Sequence, residues 1–131
     1  MLHLYDRALL LPDTEPTTTE PLDRIAHPDW AAIRKGASRR LQRDYYWQIF
    51  EPLEADRPDA IAGSLSDDLA DIWRDLKVGL LEMDDSADAK SPNAVWHWRF
   101  SFDSHWAHHA AGAIGALNAL CYGRFADPNR R

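Results

Sequence analysis

The residues best suited to chemistry are carboxylates and imidazoles on two segments with helical spacing. Asp68, Asp71 and Asp75 follow one another at steps of three and four, and His105 and His109 are four positions apart. Side chains at this spacing share one face of a helix, and carboxylate–histidine sets on facing helices hold metals in helical bundles. One hypothesis is therefore a metal-dependent enzyme. Its candidate ligands are Asp68, Asp71, His105 and His109.

The same residues also have a purely structural interpretation, which the sequence favours. The HExxH motif of zinc proteases is absent, and so is the paired ExxH motif of di-iron bundles. Local ion pairs can form among Asp71, Arg74, Asp75 and Lys77, and partly buried histidines can be satisfied by their neighbours. We therefore expect no cofactor, and the sequence weighs against an enzyme without excluding one.

Aromatic residues suggest a second hypothesis, an interaction module. Six tryptophans are more than one core of this size needs. Trp96 and Trp98 cannot easily both face inward from one helix, and Trp and Arg are enriched at protein interfaces. We expect Trp98 and Arg99, together with the acidic helix, to bind a protein partner or a second copy in a homodimer. The candidate binding residues are Asp71, Arg74, Asp75, Trp98, Arg99 and His105.

Length, charge and cysteine content narrow the class of protein. A chain of 131 residues with 45% apolar residues forms one domain and can bury a core without metal or disulfide staples. Its single cysteine cannot form an internal disulfide. Asp6 and Arg7 interrupt any secretion signal, and no apolar stretch is long enough to span a membrane, so we expect a cytoplasmic protein. A net charge of −6 disfavours nucleic-acid binding.

Two predicted helices must position the candidate residues. Residues 64–83 carry an apolar stripe at helical spacing. Residues 92–122 follow Ser91 and Pro92, which form a good helix start. Alternation from Trp96 to Phe102 has the period of a strand, but no turn signal separates this part from the helical part, so we favour a helix. The two helices should pack antiparallel at the centre of the domain.

The rest of the chain completes an all-α prediction. A short helix is expected at 2–11, and a second helix begins near Pro28 and reaches the mid-forties. Proline-rich residues 12–22 are predicted as a linker, 52–63 as a loop and 126–131 as a frayed tail. The prediction is thus a single domain, 1–131, folded as a compact bundle of about four helices.

Five basic residues mark the second helix. One interpretation is a docking patch for an acidic partner or a phosphate, and the other is a solvated face that pairs with the acidic helix of the same chain. We favour the second. These residues are Arg34, Lys35, Arg39, Arg40 and Arg43.

Five segments of the chain carry a resemblance to known sequences. They are 64–80 (SLSDDLADIWRDLKVGL), 96–106 (WHWRFSFDSHW) and 113–120 (AIGALNAL), with YDRALLLPD and DWAAIR in the N-terminal half. These segments resemble an uncharacterised bacterial family, the domain of unknown function DUF5063. The resemblance covers nearly the whole chain and is most specific at 67–77. It implies a bacterial protein and a helix over 92–122, but no activity, because none is assigned to the family. His105 matches a histidine of some relatives, whereas His108 and His109 match no family motif.

Overall fold

The computed structural model describes residues 1–18, 24–49, 51–53, 56, 58–85 and 91–123. The described chain is mainly helical, with one small antiparallel sheet of two strands. Its elements are α1 (Leu2–Leu9), α2 (His27–Ser38), β1 (Tyr45–Ile49), β2 (Ala60–Ser64), α3 (Leu65–Asp85), α4 (Pro92–Ser101) and α5 (Ala107–Tyr122). A π-helical turn, Phe102–Trp106, joins α4 to α5 without a break.

The sheet corrects the all-α prediction. Helix α2 ends at Ser38 instead of reaching the mid-forties, and β2 lies partly inside the predicted loop. In the register of the two strands, Tyr45 lies opposite Ser64. Aromatic and β-branched residues suit a pleated surface, and the side chains of β1 alternate between exposed and half-buried as a strand requires. Asp44 is held at the start of α3, which pulls the chain away from any continuation of α2.

Helix α3 confirms the predicted helix at 64–83. Ser64 caps its first turn, because the Ser64 hydroxyl oxygen accepts a hydrogen bond from the Asp67 amide at 3.3 Å. The Asp44 carboxylate adds a second cap. Its Oδ1 accepts the Ser66 amide and its Oδ2 accepts the Ser66 hydroxyl, both at 2.7 Å. Asp44, just before β1, and Ser64, at the end of β2, therefore both hold the start of α3.

The helix predicted at 92–122 is also confirmed, as α4, the π turn and α5. Ser91 caps it and Pro92 occupies its first turn. It runs antiparallel to α3, since Trp98 contacts α3 at Leu76 whereas His109 contacts it at Asp68. The strand-like alternation of aromatic residues reflects a helix partly covered on more than one side.

The core lies where α1, α3 and the π turn meet. Trp106 is fully buried, and Phe102 packs edge-on against both Trp106 and Tyr5 at ring-centre distances of 4.7 and 5.1 Å. Ala8 brings α1 against this core, confirming the short first helix. Residues 12–18 form no helix or strand, as predicted for the linker. The rest of that linker and the predicted frayed tail lie outside the described residues.

Among the helices of the described ranges, none combines the length and the apolar character needed to cross a bilayer.

Candidate metal centre

Three aspartates of α3 face the helix formed by α4, the π turn and α5. Asp68 and Asp71 are only 3% and 8% exposed. A buried carboxylate is costly unless hydrogen bonds and charges satisfy it. Each of the three, including Asp75, has such partners, and those partners come from several elements of the fold.

His109 is fixed by Asp68. Its Nδ1 lies 2.8 Å from Oδ1 of Asp68, while the other carboxylate oxygen accepts the hydroxyl of Tyr46, also at 2.8 Å. A carboxylate only accepts hydrogen bonds, so Nδ1 of His109 carries the proton and donates it. When the ring is neutral, its lone pair is therefore on Nε2.

His105 is fixed in the same way by Asp75. Its Nδ1 lies 2.7 Å from Oδ2 of Asp75, so this ring also donates from Nδ1 and presents Nε2 elsewhere. The two imidazoles lie next to each other, with ring centres 4.7 Å apart. Both histidines thus have the tautomer of metal-bound imidazoles whose second nitrogen donates to a carboxylate.

Asp71 supplies an oxygen to the same point. Its Oδ1 accepts the indole N–H of Trp30 at 2.9 Å and pairs with Arg74 at 2.8 Å. Its other oxygen, Oδ2, lies 4.0 Å from Nε2 of His109. One ligand atom from each of Asp71, His105 and His109 lies within 4.8 Å of the other two. These three residues form what we call the Asp71–His105–His109 cluster.

The cluster fits a transition-metal ion after a small closure. Bonds of about 2.0–2.1 Å at tetrahedral angles place neighbouring ligand atoms about 3.3 Å apart. The three side chains would have to approach one another by roughly 1 Å, which rotations about their side-chain bonds can provide. Two imidazoles with one carboxylate are typical ligands of zinc and of non-haem iron.

The π turn explains why two distant histidines reach the same aspartate. Nε2 of His97 donates to the Asp75 carbonyl at 3.2 Å, and His105 donates to the Asp75 carboxylate. Eight residues of regular α-helix would turn His105 about 80° away from His97. One extra residue in a π turn reduces this angle to about 20°. Such turns are frequent at functional sites.

Local electrostatics keep these hydrogen bonds in place. The hydrogen bond to Asp68 raises the pKa of His109, with burial acting in the opposite direction. Burial, together with Asp68, raises the pKa of Tyr46, so its hydroxyl keeps its proton and remains a donor. Burial lowers the pKa of His97, which favours the neutral ring seen bonded to a carbonyl.

The predicted binding residues fall into two groups. Asp71, Arg74 and Asp75 make the local ion pairs that the structural interpretation predicts, with Arg74 2.8 Å from Asp71 and 3.8 Å from Asp75. His105 and the aspartates converge, as the metal hypothesis requires. The basic helix α2 contributes an ion pair between Arg34 and Asp67 at 3.0 Å, as expected for a face that pairs with the acidic helix.

Trp98 and Arg99, the residues expected to bind a partner, lie on α4. Both residues are only partly exposed, and their polar groups are used within the chain. The Trp98 indole donates to the Leu76 carbonyl at 3.0 Å, and Arg99 bonds Asp103 at 2.8 Å. The indole also packs on Gly79, where an added Cβ would overlap it. Trp98 is therefore packed against α3, whereas the Arg99 side chain is 38% exposed, and a partner surface at these two residues stays a prediction.

Two residues of the site were not found from the sequence. Trp30 and Tyr46 lie on α2 and β1, far along the chain from the carboxylates that they bind. The spacing of Asp and His residues within a helix carries no signal for such partners. A strand assignment for 45–49 would have shown Tyr46 on the opposite face of β1 from Tyr45 and Trp47.

The fold and cluster define a mainly helical domain whose central helix pair presents acidic and imidazole side chains to each other. The chain belongs to the family DUF5063, described as a domain of unknown function, whose sequence profile matches residues 1–123. The crystal structure of protein BF1032 from Bacteroides fragilis is similar, with a TM-score of 0.75 and 23% identity. The match covers 95% of this chain and 72% of that one, and it shows a shared fold. A comparison with curated proteins finds no match.

Proposed function

We propose that this protein binds one divalent transition-metal ion through Asp71, His105 and His109. The observation that carries the proposal is the pairing of each histidine with its own carboxylate. Asp75 and Asp68 hold the Nδ1 atoms, so both rings are left with Nε2 as the atom able to bind a metal. Purely structural histidines have no need of two such pairs converging on a third carboxylate.

The charge around the cluster favours a cation. Asp68, Asp71 and Asp75 bring three negative charges into a largely buried region, and Arg74 is the basic side chain paired with them. A dication would balance the two negative charges that remain, and its bonds would offset the desolvation of the carboxylates. Nitrogen and oxygen ligands together suit Zn²⁺, Fe²⁺, Co²⁺ and Ni²⁺ better than Ca²⁺ or Mg²⁺.

Three protein ligands leave at least one coordination position for water. Sites of this kind can be catalytic, because a bound water molecule is acidified and the ion can polarise a substrate. The geometry around the cluster supports ion binding and points to no particular substrate. The proposal is accordingly metal binding, which keeps the metal part of the enzyme hypothesis and attaches no reaction to it.

The first experiment is a metal analysis of protein produced without a histidine tag. We expect close to one equivalent of a transition metal per chain, and a melting temperature that falls when a chelator removes it, because ligand binding stabilises the folded state. Returning Zn²⁺ or Co²⁺ should restore the melt. No bound metal, together with a melting temperature unchanged by both chelator and added Zn²⁺, would contradict the proposal.

Substitutions of the three proposed ligands test whether the ion binds in the cluster. Asp71→Asn, His105→Ala and His109→Ala should each abolish tight Co²⁺ binding and its absorption spectrum. His108→Ala is the matched control, because His108 neighbours His109 in the chain but is outside the cluster. Melting of each chelated variant shows whether it still folds. Unchanged Co²⁺ binding in the three cluster variants would place the ion elsewhere.

A further inference from the structure

The acidic helix uses only part of the basic face of α2. Arg34 forms the ion pair with Asp67 at 3.0 Å. Lys35 and Arg39 are exposed, and within the described ranges neither of them has a hydrogen-bond or ion-pair partner. The two are four positions apart, so their like charges lie next to each other on one side of the chain and repel. An anion bound between them would remove this repulsion.

These cations line a pocket of about 400 Å³ between α2 and the start of β1. Arg34, Lys35 and Arg39 contribute to it from α2, and Tyr45 contributes from β1. Its volume lies within the range of about 300–1,000 Å³ that is typical of small-molecule sites. The pocket is therefore large enough for an organic ligand and not only for an inorganic ion.

One carboxylate, that of Asp44, also lines the pocket, and hydrogen bonds within the chain satisfy it. It accepts the amide and the hydroxyl of Ser66, both at 2.7 Å, and the hydroxyl of Ser64 at 3.2 Å. With Arg34 paired to Asp67, the charges of Lys35 and Arg39 outnumber that of Asp44. The pocket thus stays positive in a chain whose net charge is −6, and it favours an anion.

The β1 side of the pocket continues into an exposed aromatic surface. Tyr45 and Trp47 share the outer face of β1 and are 72% and 76% exposed. Across the strand pair they lie opposite Ser64 and Ala62, whose side chains are too small to cover either ring. Aromatic rings on which a base can stack, next to cations that bind phosphate, are how proteins hold the units of nucleic acids.

We propose that the pocket between α2 and β1 binds a mononucleotide. The phosphate contacts Lys35 and Arg39, whose guanidinium can donate two parallel hydrogen bonds to phosphate oxygens, and the base stacks on Tyr45. A net charge of −6 opposes a long polyanion, which favours a single nucleotide over a nucleic-acid strand. The inference is independent of the metal, because none of the three proposed metal ligands lines this pocket.

Calorimetric titration of the whole chain with adenosine monophosphate tests the proposal. We expect one nucleotide per chain, with a Kd in the micromolar range that rises with salt concentration. Inorganic phosphate and adenosine should each bind more weakly, because each makes only half of the contacts. The affinity should be equal before and after chelation of the protein, since no metal ion takes part.

Three results of these titrations would overturn the proposal. The first is no heat of binding with millimolar nucleotide. The second is inorganic phosphate that binds as tightly as the nucleotide, because the base would then have no site. The third is nucleotide binding that chelation abolishes while circular dichroism is unchanged, because the phosphate would then be held by the metal.

Substitutions of the two cations test the position of the phosphate. Lys35→Ala and Arg39→Ala should each weaken nucleotide binding at least about tenfold. Arg40→Ala is the matched control, because Arg40 adjoins Arg39, donates to the Gly36 carbonyl at 2.9 Å and does not line the pocket. All three side chains are exposed, so the melting temperature should change little. Equal nucleotide affinities in all three variants would place the ligand elsewhere and overturn the proposal.

Substitutions of Tyr45 test the position of the base. Tyr45→Ala should weaken nucleotide binding roughly 5- to 100-fold, as loss of one stacked base does, and should leave the affinity for inorganic phosphate unchanged. Tyr45→Phe keeps the ring and should bind like the wild-type protein. Circular dichroism shows whether both variants fold. Nucleotide binding that Tyr45→Ala leaves intact would overturn the stacked base.

Discussion

Asp68 and His109 are 41 positions apart in the chain and are joined by a hydrogen bond of 2.8 Å. The bond connects the first turn of α3 to the second half of the central helix, and Tyr46 completes it from the sheet. It fixes which nitrogen of His109 donates a hydrogen bond, namely Nδ1. The same contact therefore joins the two antiparallel helices and fixes the tautomer of His109.

Removing the supporting carboxylates should weaken metal binding without removing a ligand. Asp68→Asn and Asp75→Asn retain side-chain size but exchange the strongest acceptors for neutral amides. Such changes typically reduce metal affinity about 10–100-fold. Competition with a chelating dye would measure the loss. Asp67→Asn is the control, because Asp67 lies on the same helix and pairs with Arg34 instead. Equal affinities in all three variants would argue against oriented histidines.

The hydroxyl of Tyr46 should contribute measurably to stability. Tyr46→Phe leaves the buried Asp68 with one hydrogen-bond partner fewer, and the expected loss is about 1–3 kcal/mol of the free energy of unfolding. Tyr45→Phe, on the neighbouring exposed position of β1, should change it by less than about 0.5 kcal/mol. Urea unfolding of the chelated proteins gives both values. Similar effects of the two substitutions would show that the bond to Asp68 adds nothing.

Gly79 should be a place where alanine is harmful in spite of its helix propensity. Gly79→Ala gains about 1 kcal/mol from propensity, but its Cβ must displace the indole of Trp98, and overpacking costs about 1–3 kcal/mol. We expect a net loss of stability. Gly36→Ala meets only the end of the Arg40 side chain and should stabilise the protein by up to about 1 kcal/mol. Thermal or urea unfolding that ranks the two variants the other way would refute the close packing of Trp98.

Asp44 should make stability sensitive to acid. Burial alone would raise its pKa, but the hydrogen bonds from Ser66 and Ser64 outweigh burial and hold the pKa below its usual 3.8. Because the folded-state pKa is the lower one, the contribution is complete above 3.8 and disappears as the pH falls through the lowered value.

The corresponding variant is Asp44→Ala, which should cost about 1–2 kcal/mol at neutral pH, as loss of a helix cap does. Its stability should approach that of the wild-type protein as the medium becomes strongly acidic. Asp13→Ala, an exposed carboxylate on the connection after α1, is the control. Urea unfolding across the acid range is the measurement. A wild-type-to-variant difference that stays constant down to strong acid would refute the cap.

The sequence predicted correctly those elements that are determined by residues close together in the chain. The stripe on α3 and the Ser91–Pro92 start of α4 depend on near neighbours, so periodicity and capping rules located both. The sequence also placed Asp71 and His105 on facing sides of two packed helices. It erred at 39–64, where contacts across the chain decide, because Asp44 is captured by Ser66, a residue 22 positions further on.

Residue spacing also could not predict which histidines of the central helix face α3. Regular α-helical periodicity places His97 and His108 on one stripe, about 20° apart, and His105 about 80° from His97. The π turn adds a residue between the first and the last of these, and His109 takes the place of His108 opposite Asp68. The first and last residues of the turn, Phe102 and Trp106, are both buried in the core, so the turn coincides with long-range packing that local pattern does not reveal.

One consequence concerns Asp71, which belongs to two parts of the molecule at once. Its Oδ1 holds the indole of Trp30 while Oδ2 faces His109. A carboxylate is a rigid plane, so an ion that draws one oxygen inward must turn the other against the indole. Trp30 in turn stacks on His27 and lies beneath Arg34 at the surface of α2. Binding of an ion by Asp71 would therefore displace Trp30 at the surface of α2. The position of this one surface side chain would then depend on whether the interior cluster is occupied.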